Sequence, residues 1–127
     1  MFTKLAKIFL YTTLILTSYV KYTTSYPQYN NNVPNGNVVP PSAIELGHPH
    51  GNTKMYTSFG KAYVSSGRKW TIGLCMADSD GDGQTNGLEM GDPCCRWIVG
   101  ASPAFINDLS DPNSATSQTK RDNATCL

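Results

Sequence analysis

Residues 78–89 read D-S-D-G-D-G-Q-T-N-G-L-E, which matches the calcium-loop pattern D-x-[DN]-x-[DN]-G-x5-E at every specified position. A glycine at the sixth position permits the sharp turn that directs oxygen ligands inward. The predicted ligands are the side chains of Asp78, Asp80, Asp82, Asn86 and Glu89 and the backbone carbonyl of Gln84. Because these carboxylates are crowded, we expect each to raise the pKa of the others unless a divalent cation is bound. We therefore expect a structural Ca²⁺ ion here.

The first 25 residues have the layout of a secretory signal peptide. Lys4 and Lys7 precede an apolar run at 8–20, which is shorter than the roughly 20 residues of a membrane span. We therefore predict an extracellular protein that begins at Tyr26 and has no membrane segment after processing. Removing Lys4, Lys7 and Lys21 leaves seven basic against nine acidic residues, a net charge of −2. This charge gives no electrostatic basis for binding nucleic acid.

Disulfides are expected in a small secreted domain that is poor in core-forming residues. The chain has four cysteines, Cys75, Cys94, Cys95 and Cys126. A bridge between the adjacent Cys94 and Cys95 is disfavoured by ring strain, so Cys75 is predicted to pair with one of them and Cys126 with the other. Either pairing of Cys75 closes the calcium loop into a ring of about 20 residues, which stabilises the fold by roughly 3 kcal/mol.

The sequence predicts a small disulfide-stabilised domain of α+β or irregular class, with short helices, a few short strands, long loops and one EF-hand-like calcium loop. This domain is predicted at 26–113, followed by a polar, mobile C-terminal tail at 114–127. Pro34-Asn35-Gly36 is a turn signal. The core is expected to form around four aromatic side chains. These are Phe59, Tyr63, Trp70 and Trp97.

Capping residues mark two short helices. Thr57 or Ser58 can begin the first helix, which Gly67 would end. The second is predicted at 71–77, leading into the calcium loop. The turn residues at 91–93, Gly-Asp-Pro, preclude the long exiting helix of a paired EF-hand. The ion is therefore expected to be structural, because a calcium sensor needs a second helix that moves.

The order of these motifs resembles the temptin family of small secreted proteins, which is named for a component of water-borne mollusc pheromone complexes. The resemblance rests on Y-P-Q-Y at 26–29, V-P-N-G at 33–36, G-H at 47–48, F-G at 59–60, W-T at 70–71, L-C at 74–75, and D-S-D-G-D-G-Q-T-N-G-L-E-M-G-D-P-C-C-R-W at 78–97. It implies a secreted, disulfide-bonded, calcium-loop module that acts by binding or signalling, with no catalytic reaction.

The chain also departs from the family pattern at three places. Thr57-Ser58 replaces N-P, and Pro41-Ser42-Ala43 stands where some relatives carry a cysteine. The residues at 110–113, Ser-Asp-Pro-Asn, stand where the family has S-H-P-G. No role of that histidine is therefore carried over to this chain.

From these observations we predict a non-enzymatic monomer that recognises an extracellular protein or surface, in the manner of a pheromone or attractant. No catalytic motif or nucleophile with an evident base is present. One alternative is a module that binds cell-wall or matrix glycans through Tyr26, Tyr29 and Tyr56.

A second alternative is a copper-dependent role for His48 and His50, although two histidines alone do not make a metal site. Asn123 begins a glycosylation sequon, Asn-Ala-Thr, and glycosylation there is predicted because the chain is expected to be secreted.

Overall fold

A computed structural model describes residues 27–39 and 46–122. Four short helices occur in these two ranges: α1 (Pro27–Asn30), α2 (Ser58–Ser65), α3 (Ile72–Met76) and α4 (Asn86–Glu89). Turns and irregular loops connect them, and no strand occurs in the described residues, so the short strands expected from the sequence are not observed there. The same residues contain no helix that is both long and apolar enough to cross a membrane.

Local capping explains the limits of α2. The Thr57 hydroxyl accepts a hydrogen bond from the Gly60 N–H (2.9 Å) at the start of the helix. At its end, Gly67 has a φ of +73°, and the Arg68 N–H donates to the Tyr63 carbonyl (3.0 Å). This is a Schellman ending, which glycine permits because the left-handed conformation brings no steric penalty. The first predicted helix is therefore confirmed.

Helix α3 precedes the 78–89 loop, α4 forms the last four residues of that loop, and the two helices contact each other. The Thr71 hydroxyl caps α3 by accepting from the Leu74 N–H (3.1 Å), which confirms the second predicted helix. The Thr85 hydroxyl caps α4 in the same way, accepting from the Leu88 N–H (3.2 Å). Helix α4 has only four residues and ends before Gly91, whose φ is +82°. The expected absence of a long exiting helix is confirmed.

The hydrophobic core lies between the N-terminal turns and helices α2 and α3. Its buried members are Val33, Val39, Leu46, Phe59, Tyr63, Leu74 and Met90. Trp70 packs against this cluster, as predicted. Trp97 is half-buried and is not part of it, so the prediction that both tryptophans form the core is wrong for Trp97.

The turn predicted at 34–36 joins distant parts of the chain. Asn35 adopts a φ of +53°, and its side-chain amide donates to the carbonyls of Met90 (2.9 Å) and Phe105 (2.7 Å). Asparagine tolerates this left-handed conformation better than most side chains. The turn therefore fixes the N-terminal segment against the end of α4.

A disulfide joins Cys75 at the end of α3 to Cys95, 20 residues later in the chain. This resolves the alternative that the sequence leaves open, and the bridge encloses the whole 78–89 loop. Cys94 is also disulfide-bonded. Its predicted partner, Cys126, lies outside the described residues.

The C-terminal segment, residues 114–122, lies against the 78–89 loop. Its Thr119 exchanges two hydrogen bonds with the Gln84 side chain: Gln84 Nε2 donates to the Thr119 carbonyl (2.9 Å), and the Thr119 N–H donates to Gln84 Oε1 (2.8 Å). Thr119 is buried. These contacts differ from the mobile tail expected from the polar composition, because polar side chains rather than apolar ones attach the segment. The domain boundary itself stays a prediction.

Candidate calcium site

The three loop aspartates converge on one small volume. One carboxylate oxygen from each of Asp78, Asp80 and Asp82 lies within 4.8 Å of the other two. Backbone N–H groups hold Asp78 in place, since its Oδ1 accepts from Gly81 (2.7 Å) and its Oδ2 from Gly83 (2.9 Å). The loop is therefore folded around the carboxylates, as the calcium-loop pattern predicts.

Four oxygen atoms at predicted ligand positions are buried and have no hydrogen-bond partner. They are Asp80 Oδ2, Asp82 Oδ2, Asn86 Oδ1 and Glu89 Oε2. A buried polar atom without a partner destabilises a fold by about 1–3 kcal/mol, and more when it is charged. Calcium takes oxygen ligands of these types. The donor set therefore fits the predicted ion, which would neutralise the carboxylates and satisfy all four atoms.

Glu89 at the twelfth loop position is held from outside the loop. Its side chain is fully buried, and its Oε1 accepts a hydrogen bond from the hydroxyl of Ser110 (2.8 Å). The Ser110 N–H also donates to the Glu89 carbonyl (3.1 Å). These two bonds fix the orientation of the carboxylate and leave its second oxygen available for an ion.

Burial raises the pKa of Glu89 to about 8, and the nearby charges of Asp80, Asp82 and Asp111 act in the same direction. Burial is also the main reason that the pKa of Asp80 is raised, followed by the charge of Asp82. The expected mutual increase therefore applies to Glu89 and Asp80.

The expectation that neighbouring carboxylates raise the pKa is wrong for Asp78. The hydrogen bond from the Gly83 N–H is the main reason that the pKa of Asp78 is lowered, and the N–H groups of Gly81 and Asp82 add to the effect. These donors to the charged form outweigh the effect of burial, which acts to raise the pKa of Asp78. Asp78 is thus the loop carboxylate that the backbone itself stabilises as an anion.

Further contacts join the C-terminal segment to the loop and to α4. The Gln118 side chain donates to the Asp82 carbonyl (3.3 Å), and Arg121 Nη2 donates to the Leu88 carbonyl (3.2 Å). The Arg121 guanidinium also lies over the Phe105 ring, 4.6 Å from its centroid. The segment therefore covers one side of the candidate site.

The residues of the copper alternative do not gather further ligands. Nδ1 of His48 lies 2.6 Å from the Met55 carbonyl, and its ring centroid is 4.9 Å from that of Tyr56. His50 is exposed. In the part of the chain that the structure describes, neither histidine joins a group of three metal-ligating side chains.

The tyrosines of the glycan alternative are partly exposed, Tyr29 by 38% and Tyr56 by 41%. Tyr29 packs edge-on against Tyr63, with ring centroids 6.3 Å apart. Tyr26 and the predicted glycosylation site at Asn123 lie outside the described residues.

Sequence reasoning missed two side chains that organise this region, Ser110 and Asp92. Asp92 is buried, and its Oδ2 accepts hydrogen bonds from the Trp70 indole N–H (2.8 Å) and the Trp97 backbone N–H (3.0 Å). From the sequence alone, Asp92 is predicted only as a turn residue. The sequence signal for Asp92 is its place in the G-D-P of the resemblance at 91–93, and the signal for Ser110 is the serine that 110–113 shares with the family's S-H-P-G.

The family model described as Temptin C-terminal matches residues 23–114. This chain belongs to the temptin family. It is also 45% identical, over 95 residues, to Temptin of Aplysia californica, a match that covers 69% of this chain and 76% of that protein. No solved structure matches the chain. The predicted family is confirmed, and the matched region contains the candidate calcium loop and the Cys75–Cys95 disulfide. Residues 115–122, which contact that loop, lie beyond the family match.

Proposed function

We propose that this temptin-family chain is a secreted, non-enzymatic recognition or signalling module whose domain is stabilised by one Ca²⁺ ion. The observation that carries the calcium part is the set of four buried, unpartnered oxygen atoms in the loop. The side chains of Asp78, Asp80, Asp82, Asn86 and Glu89, with the Gln84 carbonyl, would hold the ion. The bound ion would supply positive charge to buried carboxylates, and no reaction step is assigned to it.

Family membership and the leader-like sequence at 1–25 support the secreted, signalling part of the proposal. Extracellular calcium sites have dissociation constants of about 0.1 to 1 mM, close to the free calcium concentration outside cells. A site whose dissociation constant is at or below that concentration would be at least half occupied after secretion. It therefore suits a structural role in a protein that must persist outside the cell.

The calcium proposal is tested by thermal unfolding of oxidised 26–127 in chelator and across a calcium series. At a calcium concentration about 100 times the dissociation constant, the folded state should gain about 2.7 kcal/mol. For a domain of this size the midpoint should rise by about 10–20 °C. Coincident unfolding curves across the whole series would remove the ion from the proposal.

A loop variant with two fewer negative charges distinguishes calcium binding at the loop from a general effect of ionic strength. Asp80→Asn with Asp82→Asn keeps the carbonyl-type oxygens but removes two charges, so the calcium-dependent rise should disappear. Asp122→Asn changes an exposed acidic residue outside the loop and should leave the rise unchanged. An equal loss of the rise in Asp122→Asn would contradict a loop-specific site.

Secretion is tested by expressing residues 1–127 in a eukaryotic secretory host and analysing the medium by mass spectrometry. The expected product begins at Tyr26, contains the Cys75–Cys95 disulfide and carries a glycan at Asn123. Retention of the chain in the cells with residues 1–25 attached would contradict the secreted part of the proposal. A secreted product without the glycan would overturn the Asn123 prediction alone.

A further inference from the structure

A concave surface lies between the two tryptophans. Its cavity has a volume of about 460 Å³, and we call it the tryptophan groove. It is lined by Asn32, Arg68, Lys69, Trp70, Trp97, Ile98 and Val99. A second cavity, of about 400 Å³, shares Trp97 and Val99 with it. The concave surface thus continues beyond these two side chains.

The walls of the tryptophan groove are fixed by one buried carboxylate. Asp92 is 2% exposed and bonds to both tryptophans, to the indole of Trp70 and to the backbone of Trp97. Its second oxygen accepts from the Arg96 N–H (2.9 Å). The groove is therefore pre-organised, which reduces the ordering cost of binding a partner.

Aliphatic side chains project from the groove into solvent. Ile98 is 71% exposed and Val99 62% exposed. The turn that carries them is itself ordered, because the Ala101 N–H donates to the Ile98 carbonyl (3.0 Å) and the Trp97 indole donates to the Ala101 carbonyl (2.8 Å). Neighbouring exposed apolar side chains beside an aromatic ring are typical of interaction sites.

The charged side chains that line the groove are both positive. Arg68 and Lys69 are exposed and form no ion pair with an acidic side chain within the described residues. Among the described residues, no acidic side chain lines either cavity, and the nearby Asp92 carboxylate already accepts three internal hydrogen bonds. A ligand with carboxylates would therefore complement this surface.

We propose that the tryptophan groove binds a segment of a partner polypeptide in which acidic residues stand beside aliphatic or aromatic ones. The inference rests on the proposed recognition function and names its surface and the chemistry of its partner. The exposed aliphatic side chains favour such a segment over a glycan, since Asn32 is the one amide or hydroxyl side chain among the described residues that line this cavity. The concave shape favours a chain over the flat surface of a lipid bilayer.

The test is selection of displayed random peptides on the calcium-loaded, oxidised protein, followed by affinity measurement on the enriched peptides. Enriched peptides should combine Asp or Glu with apolar residues, and affinity should fall as salt is raised. Arg68→Glu with Lys69→Glu should weaken binding by about tenfold or more, because charge complementarity becomes repulsion. Ile98→Ser should weaken it through loss of apolar contact.

Matched controls carry the same chemical changes elsewhere on the surface. Lys54→Glu with Lys61→Glu reverses two exposed charges, and Ile106→Ser replaces an aliphatic side chain that is 72% exposed. Both controls should bind the enriched peptides with unchanged affinity. All variants are first shown to unfold at the parent midpoint in calcium, so that lost binding reports the groove and not the fold.

Three outcomes overturn the inference. In the first, the selected peptides show no enrichment of acidic and apolar residues. In the second, the groove variants bind the enriched peptides as well as the parent does. In the third, the groove binds heparin, phosphatidylserine vesicles or a second copy of the chain, and binds no peptide. If peptide binding fails but the unfolding midpoint still depends on calcium, the groove inference is wrong and the proposed structural ion is retained. If peptides bind through the groove but calcium does not change the unfolding midpoint, the groove inference is retained and the proposed structural ion is rejected.

Discussion

The ionisation of Glu89 gives the sharpest test of the calcium proposal. Its side chain is fully buried, and burial raises its pKa from 4.5 to about 8 when no cation faces it. Each unit of pKa difference between the folded and unfolded states is about 1.4 kcal/mol of stability. Ionisation of Glu89 in the ion-free protein should therefore lower the free energy of unfolding by up to about 5 kcal/mol.

The sign of this effect follows from the direction of the pKa change. Because the folded-state pKa of Glu89 lies above the unfolded value, the stabilisation from its protonation is fully present below pH 4.5 and is lost by about pH 8. Burial raises the pKa of Asp80 and Asp111 too, so both act in the same direction. The lowered pKa of Asp78 acts in the opposite direction.

Calcium should offset part of this pH-dependent loss of stability. The ion binds the carboxylate form of Glu89, so protons and calcium compete for the same group. Calcium should therefore stabilise the protein most at the high end of the range and least at the low end. Urea unfolding between about pH 5 and 8, in chelator and in millimolar calcium, measures both slopes.

Glu89→Gln is the decisive variant, because it removes the charge and keeps an oxygen that can accept from Ser110. In chelator at about pH 8 it should be more stable than the parent by a few kcal/mol. It should also lose the calcium-dependent stabilisation. If Glu89→Gln is instead less stable than the parent under those conditions, or if calcium stabilises the parent no more at about pH 8 than at about pH 5, the reasoning about this carboxylate is refuted.

Four further variants test the contacts around the loop by urea unfolding. Gly87→Ala would place a methyl group onto the Cys75 sulfur and should lower stability by about 1–3 kcal/mol. A methyl group at Gly73 in α3 would meet the Thr71 hydroxyl at an ordinary contact distance of 3.8 Å, so Gly73→Ala should raise stability by up to about 1 kcal/mol. Equal effects of the two substitutions would contradict the contact at Gly87. Cys75→Ser with Cys95→Ser should lower stability by about 3 kcal/mol, and an unchanged midpoint would show that the bridge does not constrain the unfolded chain. Asn35→Asp removes both side-chain donors and should lower stability by about 2–3 kcal/mol, while a change within about 0.5 kcal/mol would refute the role of that amide.

Features that depend on neighbouring residues were predictable from the sequence. Thr57 and Thr71 begin helices because a hydroxyl can accept a nearby N–H, and Gly67 ends one because it adopts a positive φ. The 78–89 loop folds as its spacing predicts. These interactions span three to five residues, so the local pattern contains the information that determines them.

Features that depend on distant residues were not predictable in the same way. Asn35 signals a turn, but nothing in its neighbourhood indicates acceptors 55 and 70 residues away. Trp97 has a large aromatic side chain of the kind that forms cores. Its position is nevertheless set by hydrogen bonds to Asp92 and Ala101 at the edge of a groove. Hydrophobic pattern alone does not distinguish a core aromatic from one that a buried carboxylate holds near the surface.

The C-terminal segment illustrates why composition misled the expectation of mobility. Low hydrophobicity predicts that a segment cannot bury enough apolar surface to become ordered. Here the gain comes from a different source, because the Gln84 side chain and the carbonyls of Asp82 and Leu88 are bonded by 114–122. All three groups lie in the 78–89 loop, whose conformation a bound ion would stabilise. Order in the loop and docking of the segment are therefore coupled, and the free energy by which docking favours the ordered loop equals the free energy by which loop order favours docking.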